Sequence, residues 1–250
     1  MLLGLVGSEM CIRDSTYIDA STGLINSHFI ENSQNEGTLL YWQNVNGDHI
    51  QVREHGNLRW LLINNTLQSI IDVNNPQTLL FPHLQYLAAQ WQTLPPPNNV
   101  LELGLGGGAI RNYLLKQHPQ VNITSVEKNA GILACYSQFF ASSSNESLLC
   151  DDAQVVLTSA RNIDWVILDL FCQIDAPRFL FEHAFYEKIH AALNTTGKLF
   201  INFLSQHNSQ LKQLQKLLFD VFGYTVYPHK ISGYVNHIVI ISKQHPKQIS

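Results

Sequence analysis

The chain has 250 residues, of which 45% are hydrophobic and 14% charged, and its formal net charge is −4. Without a basic excess, binding to nucleic acid or to an anionic membrane is disfavoured as the main role. No apolar run approaches the ~20 residues that a membrane span needs. The cysteines at positions 11, 135, 150 and 172 form no CxxC pair, so neither a zinc ribbon nor a disulfide framework is expected and the reducing cytoplasm is the predicted location.

The first 15 residues differ from the rest of the chain. Met1–Ser15 reads MLLGLVGSEMCIRDS, in which the apolar part is too short for a secretory signal and no basic residue precedes it. The string GLVGSEMCIRDS resembles a translated sequencing adapter. We therefore expect residues 1–15 to be a non-native leader, the alternative being a frayed native terminus.

A small β domain is predicted over residues 16–72. Thr38–Val45, His49–Glu54 and Leu58–Ile63 are short segments rich in aliphatic and aromatic residues. Asn46-Gly47 is a strong signal for a hairpin turn, and a second turn is indicated at residues 54–57. Together these features predict a small antiparallel sheet over about residues 36–72.

Residues 73–245 show a different pattern. A helix is predicted from Asn75-Pro76 to about Gln92, and a proline-rich connector follows at residues 94–99. Predicted strands and helices then alternate: Val100–Leu103, Ile110–Gln117, Val121–Val126, Ala130–Phe140, Leu148–Cys150, Asp164–Leu168, Phe181–Leu193, Leu199–Phe203, Gln210–Phe222, Thr225–Tyr227 and His237–Ile241. This alternation predicts an α/β fold with a doubly wound, mostly parallel Rossmann-like sheet, whose last two strands pair antiparallel at one edge.

A glycine-rich turn follows the first strand of this second domain. The string VLELGLGGGA contains Gly104, Gly106 and Gly108 and opens a helix. Glycines there allow a tight turn and a close approach of ligand to the main chain, and the helix start offers N–H donors. Glu127 ends the next strand about 20 residues on, where a carboxylate binds ribose hydroxyls. These features predict a nucleoside-containing ligand, with a purely structural turn as the alternative.

Further carboxylates indicate which nucleoside ligand is bound. Glu102 precedes the glycines, where an acid is unfavourable for a pyrophosphate but suits a cation. Asp151 and Asp152 follow the third strand, where an aspartate can accept from an adenine amino group, and Asp169 ends the fourth. Because such strand ends line one crevice, the set favours an adenosyl sulfonium over a dinucleotide. Each acid taken singly is also compatible with a helix N-cap.

With these residues placed, the chain resembles the polyamine aminopropyltransferase (spermidine synthase) family, and more closely its divergent spermidine-synthase-like branch. The strings that carry the resemblance are HIQVREHGNLRWLLINNTLQS, VLELGLGGGAIRNYL, TSVEKN, CDDAQ and WVILDLFCQIDAPRFLFEHAFYEKIHAALNTTGKLFINF. The resemblance implies a small β domain before a methyltransferase-type domain. It also implies S-adenosylmethionine or its decarboxylated form as co-substrate. No metal is expected, since the histidines form no HExxH motif. The glycine turn, Glu127, Asp151 and Asp169 match cofactor-side positions, and Gln68 matches a glutamine near the active site.

The chain also departs from the family. A Tyr-His-Glu element on the helix before the proline connector is replaced here by Phe81-Pro82-His83-Leu84-Gln85. Family members carry two aspartates, three apart, after the fourth strand, and the second is assigned as the base. Here the first is Asp169 and the second position is Cys172. Asp169 is therefore the candidate that orients or deprotonates the acceptor, and Asp175 is a candidate substitute for the missing carboxylate.

The expected function is transfer of an aminopropyl or related alkyl group from the sulfonium to an unidentified small acceptor, of which an amine is one candidate. A methyltransferase and a non-catalytic adenosyl-binding homologue stay open as alternatives. A NAD-type dehydrogenase is weaker, since no catalytic Lys, His or Tyr set can be assembled. The departures predict little spermidine formation from putrescine.

Assembly is predicted from the small sheet. Its strands carry apolar residues on both faces: Leu39, Leu40, Trp42, Leu58, Trp60 and Leu62. A sheet with two apolar faces needs cover on both, so a homodimer through an isologous contact is expected. The alternative is a monomer in which residues 16–35 fold over the sheet.

Overall fold

A computed structural model of the chain describes residues 17–19, 21–45, 47–141, 147–170, 177–205 and 207–244. A four-stranded antiparallel sheet precedes a seven-stranded, mostly parallel sheet whose strands alternate with helices. The predicted fold class is therefore confirmed. The expected leader at residues 1–15, together with Cys172 and Asp175, lies outside the described residues.

The small sheet is a meander of four consecutive strands. These are β1 (Thr38–Val45), β2 (Asp48–His55), β3 (Leu58–Ile63) and β4 (Thr66–Asp72), in that spatial order. Val45 pairs with Asp48 and His55 pairs with Leu58, which confirms the two predicted turns. Both turns contain a glycine with positive φ, as tight hairpins require.

The apolar faces of this sheet differ in their cover. Trp60 is fully buried, and its indole packs against Phe29 at a ring separation of 5.0 Å and donates to the Ser33 carbonyl at 3.0 Å. Phe29 lies on helix α1 (Ser27–Asn32), so the segment N-terminal to the sheet covers β3, as in the monomeric alternative. The β1 residues left exposed are Leu39, Leu40 and Trp42, with exposed fractions of 47%, 40% and 54%. A homodimer through these residues stays a prediction.

The large sheet has the strand order β10-β11-β9-β8-β5-β6-β7. Its strands are β5 (Asn99–Leu103), β6 (Asn122–Val126), β7 (Ser147–Leu149), β8 (Ile163–Leu168), β9 (Leu193–Leu204), β10 (His229–Lys230) and β11 (Asn236–Ser242). Strands β5 to β9 run parallel, while β11 runs antiparallel to both β9 and β10. The predicted antiparallel edge is thus present.

Helices connect these strands and share two apolar clusters with the sheet. They are α2 (Pro82–Trp91), α3 (Ala109–Gln117), α4 (Ala130–Cys135), α5 (Ala153–Ser159), α6 (His183–Ala192) and α7 (Asn208–Phe222). A wider turn at Tyr136–Phe140 continues α4, and a short 3₁₀ turn, Arg178–Phe181, precedes α6. One cluster joins Trp60 of the small sheet to Trp91 and Tyr136, so the two sheets share a continuous core.

The helix before the connector begins six residues later than predicted. A turn occupies residues 72–75, in which the Asp72 carboxylate accepts from the Asn74 N–H at 2.9 Å. A helix from Pro76 would contain Pro82 in its interior, where it removes a hydrogen bond and clashes with the preceding turn. Phe81 is extended, as the residue before a proline prefers, and the first helical residue is Pro82. The rule of proline at the helix start was right, but it was applied to the wrong proline.

Further elements at the sheet edge and after β7 differ from expectation. The predicted strand at 225–227 is absent, because the Val226 carbonyl accepts from the Gln215 side chain at 2.9 Å rather than from a neighbouring strand. The edge strand is β10, two residues further on. Helix α5 was not predicted from the sequence, and it is capped by Asp152.

Candidate functional site

A cavity of about 250 Å³ lies at the carboxyl ends of β5, β6, β7 and β8, facing the small sheet. Of the predicted site residues, all but Gly108 and Glu102 line it: Gln68, Gly104, Gly106, Glu127, Asp151, Asp152 and Asp169. Residues of β2, β3 and β4 and of helices α2 to α5 also line the wall. The crevice expected at the strand ends of an open α/β sheet is therefore present, closed on one side by the small sheet.

The glycine turn forms the main-chain wall of the cavity. Gly104 has φ +96°, and its N–H donates to the Val126 carbonyl at 2.9 Å. Gly106 has φ +53°, and the nearest atom to a Cβ placed there is Ser69 Cβ at 3.9 Å. Gly106 therefore has open space in front of it, which leaves room for a ligand against the backbone.

Gly108 has a different environment. It caps α3 with φ +69°, and a Cβ there would overlap the ring of Tyr136, lying 2.8 Å from Cδ2. The missing side chain thus makes room for Tyr136. A cofactor contact at Gly108 stays a prediction.

Glu127 follows β6 and is held by the loop that it begins. Its carboxylate accepts from the Asn129 N–H at 2.9 Å, and the N–H groups of Leu105 and Lys128 also bond to it. Burial raises the pKa of Glu127, and these hydrogen bonds oppose that rise. The loop thereby presents a pre-oriented carboxylate at the cavity wall.

Asp151 and Asp152 follow β7 and have different partners. Asp152 is the N-cap of α5 and accepts from the Gln154 N–H at 2.8 Å. Asp151 is exposed and accepts from the Asp152 N–H at 2.7 Å. The capping alternative therefore holds for Asp152, and Asp151 is the better candidate for binding an adenine amino group.

Asp169 follows β8 and is partly buried. Its N–H donates to the Leu103 carbonyl at 2.9 Å, and its Oδ1 accepts from Asn202 Nδ2 at 2.8 Å. Burial raises the pKa of Asp169 to about 6, and the Asn202 hydrogen bond opposes the rise. The carboxyl group therefore changes charge just below neutral pH.

Glu102 lies behind the cavity rather than on its wall, contrary to the predicted carboxylate set. It is fully buried and accepts a short hydrogen bond from the Ser125 hydroxyl, which also accepts from Arg111 Nη1 at 2.9 Å. Burial raises the pKa of Glu102 to about 8, so this acid is mostly neutral at pH 7. Glu102 therefore adds little negative charge to the site.

Asp48 and His83 also line the cavity, although neither was predicted as a site residue. Asp48, at the start of β2, accepts from Asn64 Nδ2 at 2.7 Å. His83 on α2 is 8% exposed, and its Nδ1 has no hydrogen-bond partner within the described parts of the chain. Burial lowers the pKa of His83 to about 3, so the imidazole is neutral. In the sequence, His83 stood out only in the comparison with the Tyr-His-Glu element. Asp48 follows the predicted Asn46-Gly47 turn, but a turn motif does not indicate whether that end of the hairpin lies at the cavity.

The charge of the wall is strongly negative. The described lining residues include one cation, Lys128, and five carboxylates. The carboxylates are Asp48, Glu127, Asp151, Asp152 and Asp169. Such a wall attracts a cationic ligand and disfavours an anionic one. Over the described residues, no group of three or more His, Cys, Asp or Glu side chains is arranged to hold a metal ion. No helix in the described ranges is long and apolar enough to cross a membrane.

No protein-family model matches the chain. A curated polyamine aminopropyltransferase of Chromobacterium violaceum is 24% identical over 202 residues, which cover 79% of this chain and 77% of the relative. A probable spermidine synthase of Corynebacterium glutamicum superposes with a TM-score of 0.70 at 21% identity, covering 84% of this chain and 81% of that one. The chain is related to the polyamine aminopropyltransferases. The predicted resemblance is confirmed.

Two further solved structures share the fold. A spermidine synthase in complex with the transition-state analogue AdoDATO has a TM-score of 0.63 at 16% identity, covering 82% of this chain and 72% of that one. Human methyltransferase-like protein 13 in complex with SAH has a TM-score of 0.58 at 21% identity, covering 67% of this chain and 84% of that one. This chain thus shares its fold both with spermidine synthases and with a methyltransferase-like protein.

Proposed function

We propose that this aminopropyltransferase relative is a transferase that moves an aminopropyl group from decarboxylated S-adenosylmethionine to a small amine. The observation that carries the proposal is the negatively charged cavity at the ends of β5 to β8, which contains Glu127, Asp151 and Asp169. The relatedness to curated polyamine aminopropyltransferases supports the same reaction class.

The adenosyl part of the donor is assigned to the glycine turn and the acids after β6 and β7. In this proposal Glu127 accepts from the ribose hydroxyls and Asp151 from the adenine amino group, while the backbone at Gly104 and Gly106 approaches the ligand. Gln68 on β4 is assigned to the same ligand from the small-sheet side. Each polar contact to a carboxylate contributes about 1.5–3 kcal/mol.

The charge of the wall favours the decarboxylated donor. S-adenosylmethionine carries a carboxylate, whereas its decarboxylated form carries only an ammonium and a sulfonium. The five acids and the single lining cation, Lys128, favour the second molecule. The fold shared with a methyltransferase-like protein keeps methyl transfer as the second candidate.

Transfer is proposed to be an in-line displacement. A neutral acceptor amine attacks the carbon beside the sulfonium; the C–N bond forms, the C–S bond breaks, and sulfur leaves with the electron pair as a thioether. The new ammonium loses a proton, for which Asp169 is the assigned acceptor. The two sheets contribute chiefly by holding the amine and carbon in line.

The acceptor end of the site is assigned to α2. The unpartnered, neutral Nδ1 of His83 can accept a hydrogen bond from a donor on the acceptor, such as an ammonium or hydroxyl group. The predicted low yield of spermidine from putrescine rests on Cys172 and on the altered Tyr-His-Glu element, and it stays a prediction.

Calorimetric titration with decarboxylated S-adenosylmethionine, S-adenosylmethionine and NAD tests the donor. We expect the decarboxylated form to bind most tightly. Release of methylthioadenosine in the presence of a panel of amines then tests transfer. Tighter binding of NAD would contradict the proposal, and tight sulfonium binding without release for any amine would identify a non-catalytic homologue.

A further inference from the structure

Two buried asparagines form a series of hydrogen bonds that ends on Asp169. Asn202 on β9 is 4% exposed and donates through Nδ2 to Asp169 Oδ1 at 2.8 Å. Asn236 on β11 is 7% exposed and donates through Nδ2 to Asn202 Oδ1 at 2.9 Å. The series therefore crosses three strands and reaches the cavity from inside the sheet.

Strand register explains why these side chains meet. Leu168 pairs with Ile201 in the parallel β8–β9 ladder, so Asp169 and Asn202 are the next residues on each strand. Ile238 pairs with Asn202 in the antiparallel ladder, which makes Asn236 the diagonal neighbour of Asn202 on the same face. The contact is a consequence of the sheet and does not depend on a loop.

The surroundings of Asn202 are apolar. Its neighbours on the same face of the sheet, Phe200 on β9 and the paired Ile238 on β11, are almost completely buried. A buried amide in such a strand costs free energy unless its donor and acceptor are both paired. Among the residues that the structure describes, Asn202 meets this condition only through Asp169 and Asn236, so these two contacts account for an amide at this position.

Asp169 and Asn236 together determine which way the Asn202 amide points. Because Asn236 donates an N–H to Asn202 Oδ1, the Asn202 NH₂ group must face Asp169. The opposite orientation would place a carbonyl oxygen against the Asp169 carboxylate and an NH₂ against an NH₂. The two asparagines therefore act as a unit, in which Asn236 acts through Asn202.

The groups around Asp169 leave few other sources of stabilisation for its charge. Glu102 lies beside it on β5, and the titratable groups on the cavity walls are Asp48, His83, Glu127, Lys128, Asp151 and Asp152. Burial disfavours ionisation of Asp169, Glu102 and His83 are mostly neutral at pH 7, and Lys128 is the one cation among the described lining residues. Within the described residues, Asn202 is the one side-chain donor to the Asp169 carboxylate.

We propose that Asn202 and Asn236 are positioning residues, which hold Asp169 Oδ1 so that the second carboxylate oxygen faces the acceptor amine. The orientation of Asp169 rests on the hydrogen bonds alone. The role of the second Asp169 oxygen toward an acceptor amine rests on the proposed function. The hydrogen bond from Asn202 favours the ionised form of Asp169, and Asn236 keeps the Asn202 amide in the orientation that makes this bond.

The chain contains a matched control at the opposite end of the same two strands. Asn194 on β9 donates a short hydrogen bond to Asp164 on β8. These two residues follow the paired Ile163 and Leu193, just as Asn202 and Asp169 follow a pair at the other end. Neither Asn194 nor Asp164 lines the cavity. Asn194→Leu therefore removes the same kind of contact between the same strands without touching the site.

The first experiment measures the protonation of Asp169 in the ligand-free protein by ¹³C NMR of aspartate carboxyl groups. We expect Asn202→Leu to raise the proton affinity of Asp169 about tenfold, as the loss of one hydrogen bond to a charged group implies. Asn236→Leu should raise it less, and Asn194→Leu should leave it unchanged. An unchanged Asp169 titration in folded Asn202→Leu would overturn the proposal, as would an equal change in Asn194→Leu. If Asn202→Leu fails to fold, the Asn236→Leu titration decides.

The second experiment separates this inference from the proposed function. In transfer assays, the acid limb of kcat/KM against pH should move to higher pH in Asn202→Leu, while the affinity for the sulfonium donor stays unchanged when it is measured at alkaline pH, where Asp169 is ionised in both proteins. A change in the NMR titration without methylthioadenosine release for any amine, in wild type or variant, would retain the positioning of Asp169 and reject the transferase. Release with a pH profile identical in wild type and Asn202→Leu would reject the positioning role and retain the transferase.

Discussion

The backbone of Gly104 lies against the carbonyl group of Asp169. A Cβ at Gly104 would overlap the Asp169 oxygen and lie 2.9 Å from its carbonyl carbon. The turn assigned to the adenosyl group and the strand end assigned to the acceptor are therefore in direct contact. A transfer reaction needs its two substrates within reach of one another, and this contact brings their two binding sites together.

Substitution at Gly104 should be far more damaging than at Gly106. Both have positive φ, which costs a non-glycine residue about 1–2 kcal/mol, but only Gly104 also lacks space. We expect Gly104→Ala to lower the free energy of unfolding by more than about 2 kcal/mol and Gly106→Ala by about 1 kcal/mol. Thermal unfolding measures both, and equal losses would contradict the contact.

Glu127→Gln should weaken binding of the sulfonium donor by about tenfold to a hundredfold, since it removes charged hydrogen bonds. Asp152→Asn is the matched control, because asparagine also caps a helix. It should change the affinity less than Glu127→Gln. Calorimetry with decarboxylated S-adenosylmethionine checks both, and unchanged affinity in Glu127→Gln would place the ribose elsewhere.

Asp169 makes the stability of the ligand-free protein depend on pH. Its folded pKa of about 6 lies above the ordinary 3.8, so between these values the folded state binds the extra proton and stability falls as pH rises. Asp169→Asn should therefore stabilise the protein at pH 7 by about 1–2 kcal/mol, with the gain disappearing below about pH 4. Unfolding by urea at several pH values checks this, and a gain independent of pH would refute it.

Transfer by the wild type should decline below about pH 6 as Asp169 is protonated.

His83 should affect the acceptor more than the fold. His83→Phe removes a buried, unpartnered nitrogen, so the free energy of unfolding should stay level or increase. The KM for the amine should rise several-fold, while His83→Gln, which keeps an acceptor, should retain more activity. Steady-state kinetics with a responsive amine test this. Equal KM values in wild type and both variants would remove His83 from the acceptor site.

The exposed residues of β1 should mediate self-association. Leu39, Leu40 and Trp42 form an apolar strip on an edge strand. Sedimentation at micromolar concentration should show a dimer that Trp42→Lys dissociates. A single species at the chain mass of 28.3 kDa in the wild type would exclude the homodimer.

The sequence determined the features that depend on neighbours along the chain. Glycines and Asn-Gly pairs specify turns because only a few residues adopt positive φ, and alternating apolar segments specify strands and helices. From these the α/β class, the glycine turn and the strand-end acids at 127, 151 and 169 followed directly. The aminopropyltransferase resemblance rested on the same short strings.

Only the tertiary structure decided which side chains meet. Glu102 and Asp169 are both acids near the ends of neighbouring strands, yet Glu102 is buried against Ser125 while Asp169 lines the cavity. Asp48 and His83 reach the same wall from the small sheet and α2, and Asn202 and Asn236 meet Asp169 through two ladders. Strand order, register and the packing of the small sheet determine these contacts. Residues as far apart in the chain as Asp48 and Asp169 carry no local signal of their proximity, because that proximity arises only when distant apolar faces are buried together.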